Sequence, residues 1–268
     1  MDTIIFGNGN LGRAIAGALV ARGDPTPTIL GRPGLGGHEP SALPAADVAI
    51  EASRSEAVLA NLTAAVDAGC RRFVIATTAW EADADEVATL LDRHRAVAVG
   101  APNLSLGVAL FGRLVERAVA LFGPLDDVDP YVLEWHRRSK ADRPSGTARD
   151  LARRILAAHP RKRRLADPGS GAPPAPDELD LAVIRAGASP GMHLVGFDAP
   201  GETIELRLTA RDRSAYAAGA LAAADWLVAE QREPGIHSFD EVVDARLAGT
   251  AAGVVAGSDR ARPALATT

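Results

Sequence analysis

Apolar and polar positions in the first hundred residues alternate between two periods. A short apolar run, Thr3-Ile4-Ile5-Phe6, predicts a strand, and Leu11, Ile15 and Leu19 then recur at i, i+4 and i+8, one face of a helix that Gly23 ends. Further strands are predicted over residues 28–30, 47–52, 72–77 and 96–100. Between them, Val58, Leu62 and Val66 mark a helix over 55–70, and a second helix spans 83–94. Strands alternating with helices this regularly predict a parallel sheet with helices on both faces, a Rossmann-type α/β domain.

The pattern changes after Asn103. A helix over 105–122 ends at Gly123-Pro124, a strand follows over 131–136, and a helix over 147–158 precedes a Pro- and Gly-rich loop. Strands over 181–187, 193–198 and 203–210, joined by short turns, read as an antiparallel meander. This predicts a second, α+β domain on an open mixed sheet. An amphipathic helix over 214–230 is expected to return to the first domain. The predicted division is therefore 1–106 plus 213–240 for the first domain and 107–212 for the second. The aperiodic, small-residue-rich stretch 249–268 reads as a mobile tail.

Composition narrows the function classes. Among 268 residues, 29 Lys and Arg oppose 34 Asp and Glu, a net charge of −5, which offers no electrostatic footprint for nucleic acid or an anionic membrane. The lone cysteine, Cys70, excludes an internal disulfide and a Cys-rich zinc site, so no metal is expected and a reducing cytoplasm fits. No apolar run approaches the ~20 residues of a membrane span, and no secretory leader is visible.

Two segments carry candidate chemistry. Gly7-Asn8-Gly9-Asn10-Leu11-Gly12 is a G-x-G-x-x-G between a strand and a helix, the context in which glycines admit a pyrophosphate to a helix N-terminus. At the end of the second strand stands Arg32, where an NAD site would carry an acidic residue, so NADPH is slightly favoured over NADH. The second segment runs from Glu134 to Ala148. It brings His136, cations including Arg137 and Lys140, and the Ser145-Gly146-Thr147 turn at a helix start to one place, a site for a carboxylate beside a proton donor. A plain N-cap at Ser145 with solvated arginines accounts for the same residues, and local physics leaves both readings open.

His136-x-x-x-Lys140-x-Asp142-x-Pro144-Ser145-Gly146-Thr147-Ala148 resembles the signature of the dihydrodipicolinate reductase family. Ala76-Thr77-Thr78-Ala79 resembles that family's loop beside the nicotinamide, and Ala101-Pro102-Asn103-Leu104-Ser105 its domain junction; the likeness spans about residues 1–240. It implies NAD(P)H-dependent reduction of 4-hydroxy-tetrahydrodipicolinate in lysine and diaminopimelate biosynthesis. His136 would be the acid and Lys140 its partner, with Ser145, Gly146 and Thr147 on a cyclic imine dicarboxylate; Arg137, where the family commonly has a second histidine, is expected to hold the other carboxylate if its side chain points inward. The cofactor would meet the Gly7 to Gly12 turn, Arg32, Ala76, Thr77, Thr78 and Ala101 through Leu104. A homotetramer assembled through the second domain is also implied. Trp135, Arg137, Arg143, Ala76, Ala79 and Leu208 depart from the family pattern. They keep in view a paralogous reductase of another carboxylated cyclic imine. A silent dinucleotide sensor is the other rival, and it would need neither His136 nor Lys140.

Overall fold

The computed structural model describes residues 1–32 and 38–257, which build two sheets. The first half follows the expected alternation: β1 (Thr3–Phe6), α1 (Asn10–Arg22), β2 (Thr28–Leu30), β3 (Val48–Glu51), α2 (Val58–Asp67), β4 (Arg72–Ile75), α3 (Ala84–Arg93) and β5 (Val97–Gly100). Successive side chains on a strand face opposite sides. Ile5 accordingly packs with Ile15 and Leu19 of α1, while Ile4 and Phe6 pack with Leu62 of α2 and Leu91 of α3. With a last strand, β11 (Gly235–Ser238), the strands are all parallel, in the order β11-β5-β4-β3-β1-β2. The chain order reverses between β1 and β3, so the crevice beyond their carboxyl ends is where such a sheet binds ligands.

The second sheet contains β6 (Asp129–His136), β7 (Arg164–Leu165), β8 (Glu178–Arg185), β9 (Met192–Ala199) and β10 (Glu202–Thr209), in the order β10-β9-β6-β8-β7. The expected three-strand meander is corrected here. β9 and β10 form an antiparallel hairpin, but β6 lies between β8 and β9, parallel to the first and antiparallel to the second. Parallel neighbours need a crossover connection, and α5 (Gly146–Ala158) supplies it between β6 and β8. One face of the sheet is covered by α5 and by α4 (Leu106–Phe122), with Val132, Val195 and Phe197 packed on Val115, Val119, Leu151 and Ile155. The opposite face is open. Trp135 and Ile184, paired across β6 and β8, are 38% and 41% exposed there.

The chain then re-enters the first layer. α6 (Ser214–Ala229) returns to the first layer as expected but is not amphipathic: Ala217, Ala220, Leu221, Ala223, Ala224 and Leu227 are buried, because the helix is wedged between α1 and the sheet. Small side chains let it approach closely on several sides. β11 (Gly235–Ser238) and α7 (Phe239–Gly257), which periodicity did not mark, follow; β11 extends the first sheet beside β5 and α7 buries Phe239, Val242 and Val243. α7 continues to Gly257, so the first part of the stretch 249–268 is helical, through an alanine-rich sequence without proline. The remainder, 258–268, lies outside the described residues. No helix among the described residues is long and apolar enough to cross a membrane.

Candidate active site

The turn after β1 has little tolerance for side chains. Gly7, at φ +113°, donates its amide to Leu30; a Cβ there would lie 2.3 Å from the Ala52 carbonyl, and one on Gly12 would lie 1.9 Å from the Gly7 carbonyl. These two glycines hold helix and strands together. Gly9 differs, since a Cβ on it would meet nothing within 4 Å. It caps α1 without a side-chain bond and lines a cleft of about 540 Å³. Asn10, Leu11, Ala76, Thr77, Thr78, Pro102, Asn103 and Leu104, all singled out from the sequence, line the same cleft. Ala101 lines a neighbouring cavity beside Gly146 and Thr147. Gly7, Asn8, Gly12 and Arg32 are outside the cleft lining, and Arg32 is exposed.

Sequence reasoning missed Ser53, Arg54, Arg213 and Tyr216, which also line the cleft. It missed Glu51 as well. This buried carboxylate ends β3 and accepts bonds from the Ser53 amide at 2.8 Å, Asn61 at 2.8 Å and the Thr77 hydroxyl at 3.1 Å, joining two loops of the cleft wall. Burial pushes its pKa up against those bonds. An acid in an otherwise apolar strand, Val-Ala-Ile-Glu, was the available signal.

The second group forms on the covered face of the other sheet. Alternation along β6 places Val132, Glu134 and His136 inward and Leu133 and Trp135 outward. Register supplies the neighbours: His193 of β9 stands opposite Glu134, and Arg185 of β8 stands opposite His136. Glu134 is fully buried, with Oε1 accepting from Arg185 at 2.8 Å and from the Ser145 amide at 3.0 Å. Its Oε2 lies 3.5 Å from His136 Nε2 and 3.7 Å from His193 Nε2, within reach of both rings but hydrogen-bonded to neither. Ser145 caps α5: its hydroxyl accepts from the Ala148 amide and sits 3.2 Å from His193 Nε2. Gly191, at φ +147°, passes close against the His136 ring.

β6 ends at His136, and the next residues turn away. Arg137 donates its amide to Ser189 and is exposed, so its side chain is not among those lining the cavity beside His136. Lys140 is partly buried and paired with Asp142 at 2.7 Å. Gly146 and Thr147 open α5, and Thr147 accepts from Asn103 at 3.2 Å, which ties this helix to the dinucleotide cleft. His136, His193, Thr147, Leu208 and Tyr216 line a cavity of about 150 Å³; Tyr216 belongs to the large cleft too.

Charge is apportioned unequally among these groups. Burial pushes Glu134 up, but the hydrogen bonds from Ser145 and Arg185 outweigh it and hold the carboxyl below its ordinary range. Burial lowers His136, the Glu134 charge partly offsetting this while Lys140 and Arg185 add to it. His193, more deeply enclosed and beside His136, is lowered to about 4. At neutral pH the carboxylate is therefore charged and His193 is neutral.

A cleft lined by Gly9 at the switch point of a parallel sheet, meeting a histidine-lined cavity at the start of a helix in a second domain, defines a nicotinamide-dependent oxidoreductase of two domains. The family model for "Dihydrodipicolinate reductase, C-terminus" matches residues 107–243. The chain belongs to the dihydrodipicolinate reductase family. It is 37% identical over 198 residues to the 4-hydroxy-tetrahydrodipicolinate reductase of Methanoregula boonei, covering 74% of each chain. To the enzyme of that name from Archaeoglobus fulgidus it is 34% identical over 202 residues, covering 74% of this chain and 76% of that one. Among solved structures, the dipicolinate-bound dihydrodipicolinate reductase from Paenisporosarcina sp. TG-14 shares the fold. Its TM-score is 0.65 at 18% identity, covering 89% of this chain and 97% of that one.

Proposed function

We propose that the protein reduces 4-hydroxy-tetrahydrodipicolinate to tetrahydrodipicolinate with NAD(P)H, a step of lysine and diaminopimelate biosynthesis. One observation carries the reading: Asn103 and Tyr216 of the dinucleotide cleft also touch Thr147 and the His136 cavity, so the two ligand spaces meet. The cleft fits a dinucleotide, because Gly9 is open and the uncapped start of α1 offers amides to a pyrophosphate. Arg54 and Tyr216 are the further side chains positioned to hold it. The bound cofactor supplies the hydride.

This chain's residues do the rest. The amides of Gly146 and Thr147 at the start of α5 take a substrate carboxylate, while Ser145, occupied by Ala148 and His193, shapes the turn. His136 delivers the proton to the ring. Burial leaves it short of protons in the free protein, and the arriving carboxylates raise its affinity for one. Lys140 stabilises negative charge that develops on the substrate. Residues 1–106 with 213–240 act as the dinucleotide domain and 107–212 as the substrate domain. The open face around Trp135 and Ile184 is the surface through which a cytoplasmic homotetramer assembles.

A steady-state assay with freshly generated substrate and each cofactor tests the reading. Turnover with competitive inhibition by pyridine-2,6-dicarboxylate is expected. Absence of cofactor oxidation with either nucleotide overturns it.

A further inference from the structure

We infer that Glu134 is a positioning residue which sets the protonation of His136, and that His193 is kept neutral so that His136 alone carries the proton. The inference rests on the reading of His136 as the proton donor. It starts from a geometrical fact: a fully buried carboxylate presents one oxygen to two imidazoles. Its other oxygen is held by Arg185 and the Ser145 amide, which fix the plane of the group and leave Oε2 without a partner of its own. A buried carboxylate oxygen with no hydrogen bond is costly unless a proton is brought to it in the working state. Imidazolium at His136, 3.5 Å away, is that donor.

The two histidines differ in what else they meet. His193 Nε2 faces the Ser145 hydroxyl, whose oxygen already accepts from Ala148, so the hydroxyl proton is free to point at the ring nitrogen. That bond favours a neutral His193. His136 has no hydrogen-bond partner on either nitrogen. With Nε2–H directed to Glu134, Nδ1 carries the second proton of the imidazolium, and the ring returns to neutrality when one proton is given up. The charged and titratable groups around His136 are Glu134 on its own strand, His193 on β9, Arg185 on β8, Lys140 and Asp142 on the following loop, and Tyr216 of α6 across the shared cavity. Of the two carboxylates, Glu134 is the buried one, and Lys140 already neutralises Asp142.

The test is a pair of pH titrations. In the free protein labelled at histidine Cε1, NMR reads the pKa of His136 directly, without substrate. Glu134→Gln keeps the shape and the acceptor for the Ser145 amide but removes the charge, and should lower that pKa by about one unit or more. In steady state, the alkaline fall of kcat should move down by the same amount, costing ~10-fold above it while turnover well below both pKa values is largely kept. A merely structural role would depress turnover equally at every pH. If Glu134→Gln does not fold, Glu134→Asp withdraws the carboxylate and should shift the profile the same way by less. An unmoved His136 titration in a folded variant, or a pH-independent loss, overturns the inference. A shifted titration in a protein that does not turn over the proposed substrate would leave it standing and refute the substrate assignment alone.

Discussion

Gly191→Ala tests the site with the smallest change that reaches it. A Cβ there would lie 2.7 Å from His136 Cε1 and 3.1 Å from Nδ1, against about 3.5–4.0 Å for ordinary carbon contacts. Something must therefore move by roughly 1 Å. The backbone is pinned, because the Gly191 carbonyl accepts from the Ala210 amide at 2.8 Å, so the imidazole gives way. A misplacement of ~1 Å at a reacting group costs on the order of 10²-fold. At 1.36 kcal/mol per tenfold that is about 2.7 kcal/mol of transition-state stabilisation. The φ of +147° adds backbone strain of about 1–3 kcal/mol, which appears as a lower Tm. The assay is kcat/KM beside the NADPH dissociation constant and thermal unfolding. The expected result is a large loss of kcat/KM in a folded protein that binds dinucleotide normally. Activity within about threefold of wild type would show that His136 is not held where the structure has it, and would refute the reasoning.

Other expectations are more direct. Gly9→Val fills the open side of the turn and should abolish binding of NADH and NADPH alike, measured by fluorescence titration. Arg54 lines the cleft and Arg32 does not, so Arg54→Ala should weaken dinucleotide affinity more than Arg32→Ala does; the reverse order would place the adenosine end at β2. The folded pKa of His193 is depressed from 6.5 to about 4, so the unfolded chain binds the extra proton first. Its contribution to stability is complete above pH 6.5 and is lost as pH falls towards 4, by about 3 kcal/mol in all. Tm followed over that interval should drop in wild type and drop less in a folded His193→Gln.

Local pattern alone predicts the elements of the first hundred residues and the places of both candidate segments, because local rules govern them. Period 3.6 and apolar runs report burial on one face directly, and a glycine turn or an N-cap is decided by its neighbours in the chain. Alternation likewise put Glu134 and His136 on one face of a strand, legible as residues i and i+2. Burial and register decided the rest. Pairing β6 with β8 on one side and β9 on the other brings Arg185 and His193 to Glu134, joining residues some fifty positions apart that no local pattern connects. For the same reason the meander expectation failed: a hairpin signal reports turn chemistry, while the place of β6 depends on the crossover through α5 and on which strand can be buried. α6 escaped as an amphipathic helix because alanine, with almost no side chain to orient, carries little periodic signal yet packs closely on several sides. The division of charge around Glu134 is also tertiary. A carboxyl and two imidazoles have ordinary affinities for protons in an open chain. Only enclosure, with one carboxylate oxygen held and the other left facing His136, moves all three, and lowers His193 to about 4.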